Sequence, residues 1–227
     1  MGGHNIYILR IILTPQTQYG FFYNFWAATG YIANYGWHVP SVTEFRTLLD
    51  YLGASGDYLN NSVGGELKET GTTYWDSPNT GATNSSGFNG RGTGQRDDDT
   101  GLSGEIKKYC NIWSTTDYIV GSKYMLRLAY NNSKGSLQGN YPEAGNPVRL
   151  IKDSTTLSNG QIGSYIGNDG ITYPTICIGT QEWLAANLEE TKFRDGSSIP
   201  YIDNVDESDN TEWAAATSAA YCIYPTS

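Results

Sequence analysis

Side chains able to act as nucleophile, general base or soft metal ligand are scarce: the histidines are His4 and His38, and the cysteines are Cys110, Cys177 and Cys222. Their spacing does not assemble a reactive site. No Cys-x-x-Cys pair occurs, and no G-x-S-x-G elbow, H-E-x-x-H helix or phosphate-binding loop is present. One imidazole without a second ligand makes a poor metal site, so His38 is expected to be structural. Three scattered cysteines are too few for a disulfide scaffold. One disulfide with a spare thiol, or three buried thiols, are both open. The acidic runs Arg96-Asp97-Asp98-Asp99 and Asp203 to Asn210 offer the oxygen ligands that calcium takes, but neither has the spacing and glycine of an EF-hand loop. They read as solvated loops. No catalytic residue and no cofactor is expected, with calcium left open.

Binding chemistry is concentrated between Ser114 and Asn146. Tyr118, Tyr124, Arg127, Tyr130, Asn131, Asn132, Gln138 and Tyr141 all fall there. Tyrosine supplies broad amphipathic contact with few rotors to freeze, and Asn, Ser and Gly adapt their hydrogen bonds, which is how a paratope is built. On this reading Tyr124, Arg127, Tyr130, Asn131, Asn132 and Tyr141 form one exposed face. The competing reading is a plain β-hairpin in which Tyr124, Leu126 and Leu128 alternate inward.

These residues need a frame, and its clearest element is a helix after Pro40. Ser41 and Glu44 have the spacing of a capping box, Phe45, Leu48, Leu49 and Leu52 make one apolar stripe, and Gly53 is a stop. Around it, strands are expected at Asn5 to Thr14, Tyr19 to Trp26, Asn111 to Ser114, Tyr124 to Tyr130 and Pro147 to Ile151. Thr70 to Gly104 reads as a long, nearly core-free tract, and Ser154 to Asn168 as a linker. Ile171 to Leu188 opens what looks like a second unit. The core between helix and sheet is expected to hold Trp37, Phe45, Leu48, Leu49, Trp113 and Trp183.

Charge narrows the partners. With 14 Lys+Arg against 23 Asp+Glu, the net charge is -9, which repels phosphate backbones and anionic lipid. Nucleic acid and membrane insertion are not expected. The apolar run Ile6 to Leu13 is interrupted by Arg10 and is too short to span a bilayer, and it lacks the cleavage site of a signal peptide.

Several motifs resemble those of the Fibrobacter succinogenes major paralogous domain. They are G-W-H-V-P-S-x-x-E-F at Gly36 to Phe45, G-G-x-L-K-E-T-G-T-x-x-W at Gly64 to Trp75, G-A-T-N-x-x-G-F at Gly81 to Phe88, W-S-T-T at Trp113 to Thr116, and V-R at Val148-Arg149. Ile178 to Trp183, as I-G-x-Q-x-W, and Asn187-Leu188 resemble the family's opening segment. The resemblance implies an α+β, C-type lectin-like fold, with short helices packed on small antiparallel sheets and long loops. Trp37, His38, Ser41, Glu44, Trp113, Trp183 and Asn187 are then structural. It also implies a non-enzymatic recognition module for a surface glycan or protein receptor, extracellular on a bacterial surface or virion.

In this chain the opening segment stands after the closing strand. Either one domain is circularly permuted, or the chain is cut out of phase from a tandem array. The expected layout is an N-terminal extension at 1–18, the main domain at 19–153, a linker at 154–168 and a completing segment at 169–227. The segment Ile171 to Leu188 should pack beside Val148 to Ile151 of its own chain, giving a monomer in dilute solution. A structural subunit that exchanges complementary halves between chains is the alternative.

Overall fold

A computed structural model describes residues 18–202 and 211–223. In chain order the elements are β1 (Phe22–Tyr23), α1 (Phe25–Thr29), β2 (Trp37–His38), α2 (Val42–Tyr51), α3 (Gly64–Leu67), β3 (Gln95–Arg96), β4 (Ser103–Gly104), β5 (Tyr109–Asp117), β6 (Lys123–Ala129), β7 (Ser136–Asn140), β8 (Ile151–Lys152), β9 (Ile162–Ile166), β10 (Thr172–Ile178), β11 (Gln181–Leu184), α4 (Thr211–Ala214) and β12 (Tyr221–Cys222). The fold is α+β, mostly sheet with short helices. Two sheets dominate, an antiparallel one ordered β2-β8-β11-β10-β9 and a meander of β5-β6-β7, with smaller pairs β1-β12 and β3-β4.

Helix α2 is specified locally. Ser41 Oγ accepts from the Glu44 amide at 3.3 Å while the Glu44 carboxylate accepts from the Ser41 amide at 2.7 Å. The reciprocal bonds satisfy donors that a helix start leaves open. After Leu52 the chain turns at Gly53 with φ +105°, a left-handed value that glycine adopts without strain. The buried stripe of Phe45, Leu48 and Leu49 joins one core cluster with Ile112, Leu126 and Leu128 of the meander and Ile176, Ile178 and Trp183 of the larger sheet. Phe45 stacks on Trp183 with ring centroids 5.4 Å apart. Trp113 belongs instead to a second cluster, with Tyr23, Val148, Leu150, Tyr173 and Leu184, and Trp37 packs against it half-buried. The expected core is therefore divided in two, because Trp113 and Ile112 are neighbours in a strand and point to opposite faces.

Several expected strands are redrawn. Tyr19 to Trp26 is not one strand: Asn24 turns the chain into α1 by accepting from the Ala27 amide at 3.1 Å. Of Pro147 to Ile151, only Ile151 lies within β8, while the Pro147, Val148 and Leu150 carbonyls accept from Trp113, Leu188 and Leu184. The tract from Thr70 to Gly104 is not core-free, since Trp75, Phe88 and Arg96 are fully buried in it. Its apolar residues are few, and Trp75 and Phe88 are large and turned inward while Leu102 stays exposed. The stretch expected as a linker contains β9, whose register with β10 pairs Tyr165 with Tyr173 and Ile162 with Ile176. Its pattern misleads because Ile162 and Ile166 are exposed and Tyr165 is buried. The expected strand at Asn5 to Thr14 lies outside the described residues.

The segment Ile171 to Leu188 lies beside the closing strand. Trp183 pairs with Ile151, the Leu184 amide donates to the Leu150 carbonyl at 3.0 Å, and the Leu188 amide donates to Val148 at 3.0 Å. Phe22 and Tyr23 pair with Cys222 and Tyr221, so both ends of the described chain meet in β1-β12.

Candidate functional site

Strand alternation separates the two faces of the meander. Cys110, Ile112, Leu126, Leu128 and Leu137 turn into the first core cluster. On the opposite face Arg127 pairs with Asn111 and Ser136, Tyr109 with Ala129, and Met125 with Gln138. There Tyr109, Arg127, Ala129, Ser136 and Gln138 line a groove of about 630 Å³, together with Leu59, Asn60, Asn131, Asn132 and Lys134. This is within the range of about 300–1,000 Å³ for small-ligand sites.

Two loops wall the groove, and both are tied down by backbone bonds. In the first, Asp57 Oδ1 accepts from the Leu59 and Asn60 amides at 3.0 and 2.8 Å. That loop is fastened to β7, because the Leu137 amide donates to the Tyr58 carbonyl and Ser136 Oγ donates to the Leu59 carbonyl. Asn61 clamps the second loop, donating to the Gly135 carbonyl at 2.7 Å and accepting from the Gly135 amide at 2.9 Å. Below the second loop, buried Lys68 donates its three protons to the carbonyls of Thr80, Ala129 and Asn132 at 2.8–2.9 Å. Burial lowers its pKa to about 8. Gly64 and Gly65 let backbone come close: a Cβ at Gly64 would stand 2.1 Å from the Lys134 carbonyl oxygen, and one at Gly65 2.0 Å from that of Gly81.

Of the eight residues expected to bind, the groove gathers Arg127, Asn131, Asn132 and Gln138. The tyrosines lie elsewhere. Tyr124 and Tyr130 pack half-buried against the first core cluster, so the expected single exposed face is not formed. Alternation is the reason, since Tyr124 and Arg127 are an odd number of positions apart on one strand. Tyr118 is exposed and lies edge-on to Tyr124 at 4.8 Å, and Tyr141 is exposed beyond β7. Sequence reasoning missed Tyr109, Lys134, Ser136, Asn60 and Leu59. Pairing β5 with β6 in the right register would have found Tyr109; the loop at Leu59–Asn60 had no local signal.

Cys110, Cys177 and Cys222 are buried, and burial pushes the Cys110 thiol up to about 11. Among the described residues, no three His, Cys, Asp or Glu side chains are grouped to hold a metal. Asp97 Oδ1 is taken up by the Asp99 and Thr100 amides and the Thr100 hydroxyl. The run at Asp203 to Asn210 lies outside the described residues.

The Fibrobacter succinogenes major domain model matches residues 7–152. The chain belongs to that family. No curated protein matches the chain, and no solved structure matches it. Strands β9 to β12 lie beyond the matched residues, and the larger sheet joins β9, β10 and β11 to β8 and β2.

In this member of the Fibrobacter succinogenes major domain family, the motif residues build the frame around the groove. Trp113 Nε1 donates to the Tyr23 carbonyl at 2.8 Å. Asn187 accepts from Arg149 Nε at 2.7 Å and donates to the Tyr19 carbonyl at 2.8 Å. His38 bridges two carboxylates, Glu44 Oε1 at 2.7 Å from Nε2 and Asp153 Oδ1 at 2.6 Å from Nδ1. It thereby links the start of α2 to the end of β8.

The hydrogen bond to Glu44, aided by Asp153 and opposed by partial burial, raises the His38 pKa to about 9. Burial pushes the Glu44 carboxyl up, but bonds from His38 and Ser41 outweigh it and hold the group below its ordinary range. A raised histidine contributes stability that is complete below about 6.5 and is lost as pH rises through about 9. Wild type should therefore lose stability relative to His38→Gln between pH 6.5 and 9.5. Urea midpoints of the two proteins across that range check it, and parallel curves would show that the bridge carries no linkage.

Proposed function

We propose that the protein is a non-enzymatic recognition module of C-type lectin-like type, displayed on a bacterial surface or a phage particle, that binds a glycan or protein receptor in the groove on the face of β5-β6-β7 opposite the first core cluster. The observation that carries this is the groove itself, a preformed concavity whose polar side chains stand on a fixed frame. Carboxamides of Asn131, Asn132 and Gln138 can donate and accept, as an adaptable ligand contact must. We read residues 169–223 as completing this module from the C-terminal side, in a permuted order. The pairings β11-β8 and β1-β12 within one chain support closure inside a monomer over exchange between chains.

Asn131 is exposed at the groove wall, so Asn131→Trp fills the groove without entering a core. Immobilised glycans and receptor proteins screened with wild type should yield a saturable ligand that this variant no longer binds, at an unchanged melting temperature. A screen with no saturable ligand, or a variant that binds as wild type does, would refute the reading.

A further inference from the structure

Two half-buried arginines, Arg127 and Arg46, rest on tyrosine rings rather than on acceptors, and of the two Arg127 lines the groove. Arg149 and Lys68 give their protons to carbonyls, and Arg91 pairs with Glu69 at 2.5 Å. The Arg127 guanidinium lies over the Tyr109 ring, 3.8 Å from its centroid, and among the described residues it meets no carboxylate or carbonyl acceptor. It is a half-buried positive charge with its donors unspent, in the wall of a groove. Lys134 stands in the same groove and gives one bond, to Asn60 Oδ1 at 3.0 Å. Two cations with one amide acceptor between them thus stand in the groove of a chain of net charge -9, and the charge of Lys134 is shared with the Asp57 carboxylate of the first loop, which it helps the Asn60 and Leu59 amides hold below its ordinary range.

We infer that the groove recognises a carboxylate-bearing sugar, a hexuronic acid residue of an acidic glycan, with Arg127 as the carboxylate clamp. This rests on the reading of the groove as a recognition site. Guanidinium presents a planar fork of donors that matches a carboxylate in bidentate fashion, and stacking on Tyr109 holds that plane before the ligand arrives. Lys134 adds a second charge without dictating geometry. Gln138 supplies both a donor and an acceptor for ring hydroxyls and Asn131 its amide nitrogen, while Asn132 is partly taken up, donating to Asn131 Oδ1 and accepting from the Lys134 amide. Leu59 and Ala129 offer little apolar lining, which suits a hydroxylated frame better than an aliphatic side chain.

The test is calorimetric titration of the full chain with di- and trisaccharides of galacturonic and glucuronic acid, their methyl esters, neutral counterparts and inorganic sulfate. At least one uronate should bind, its methyl ester should bind at least about tenfold more weakly, and Arg127→Gln should lose as much at an unchanged melting temperature. Arg127→Lys should retain part of the affinity, and Lys134→Gln should lose less than Arg127→Gln. If neutral or esterified sugars bind as tightly, and Asn131→Trp abolishes that binding, the recognition reading stands and the carboxylate inference falls. Sulfate that competes at the same concentration as the uronate would equally overturn it, since the sugar frame would then contribute nothing. If no uronate binds, the inference falls, and if no sugar or receptor at all is blocked by Asn131→Trp, the recognition reading falls with it.

Discussion

Arg149→Met is expected to lower the unfolding free energy by about 3–5 kcal/mol. The guanidinium is fully buried and among the described residues meets no carboxylate; it donates to the carbonyls of Phe88, Asn89 and Leu184 and to Asn187 Oδ1, and lies 4.2 Å from the centre of the Phe88 ring. Burial lowers its pKa to about 10, so it stays charged at neutral pH. One side chain thus ties the closing strand to the long tract and to the segment after β11. Methionine fills much of the volume but leaves four acceptors without donors, and an orphaned buried acceptor costs about 1–3 kcal/mol, partly offset because no cation is desolvated. Arg149→Lys should recover only part, because an ammonium cannot reach four acceptors in a plane. Urea midpoints at constant m measure the loss; a deficit below about 1 kcal/mol would show that other contacts join these segments.

The second large effect is expected at Lys68→Met, roughly 2–4 kcal/mol together with weakened groove binding. Among the described residues its ammonium meets three carbonyls and no anion, and one of the carbonyls belongs to Asn132 in the groove wall. Without it the Asn131–Lys134 loop keeps the Asn61 clamp, the Lys134–Asn60 bond and the bond from the Gly65 amide to the Ser133 carbonyl, but loses its buried anchor, so affinity should fall along with stability. The lowered pKa adds a sign that simple truncation does not predict. Between about 8 and 10.5 the unfolded chain binds more protons at Lys68 than the folded chain, so this residue favours folding increasingly as pH rises. The deficit of the methionine variant should therefore grow over that window. Unfolding curves at pH 7.5 and 10 measure it, and a deficit that shrinks would show that the ammonium is not held as buried as its three carbonyl contacts imply.

What could be read from the sequence was whatever is decided by neighbours along the chain. Helix α2 was legible because its cap, stripe and stop lie within thirteen residues of one another, from Ser41 to Gly53. Four of the ten residues lining the groove were legible for the same reason, since Asn131, Asn132, Arg127 and Gln138 share one polar hairpin. The tyrosines misled because composition does not state a face: one position of register decides whether Tyr124 or Arg127 looks outward. Tyr109, Asn60 and Leu59 were hidden because only the β5-β6 register and the fastening of the 57–61 loop to β7 bring them to the groove. Strand β9 hid behind an inverted pattern, with isoleucines outside and Tyr165 inside. The motif lysine and arginine, Lys68 and Arg149, gave no sign of being buried, because the carbonyls that justify their burial come from distant turns.

The proposed recognition surface is the groove between the 57–61 loop and the 131–135 loop. Amide hydrogen exchange of the full chain, with and without a saturating concentration of the tightest saccharide from the uronate series, tests it most directly. Exchange should slow at residues 57–61 and 131–135 and stay unchanged at the tip of the β5-β6 hairpin, Tyr118 to Ser122. Protection confined to that tip, or to the exposed stack of Tyr31 and Tyr35 on Arg194, would contradict it.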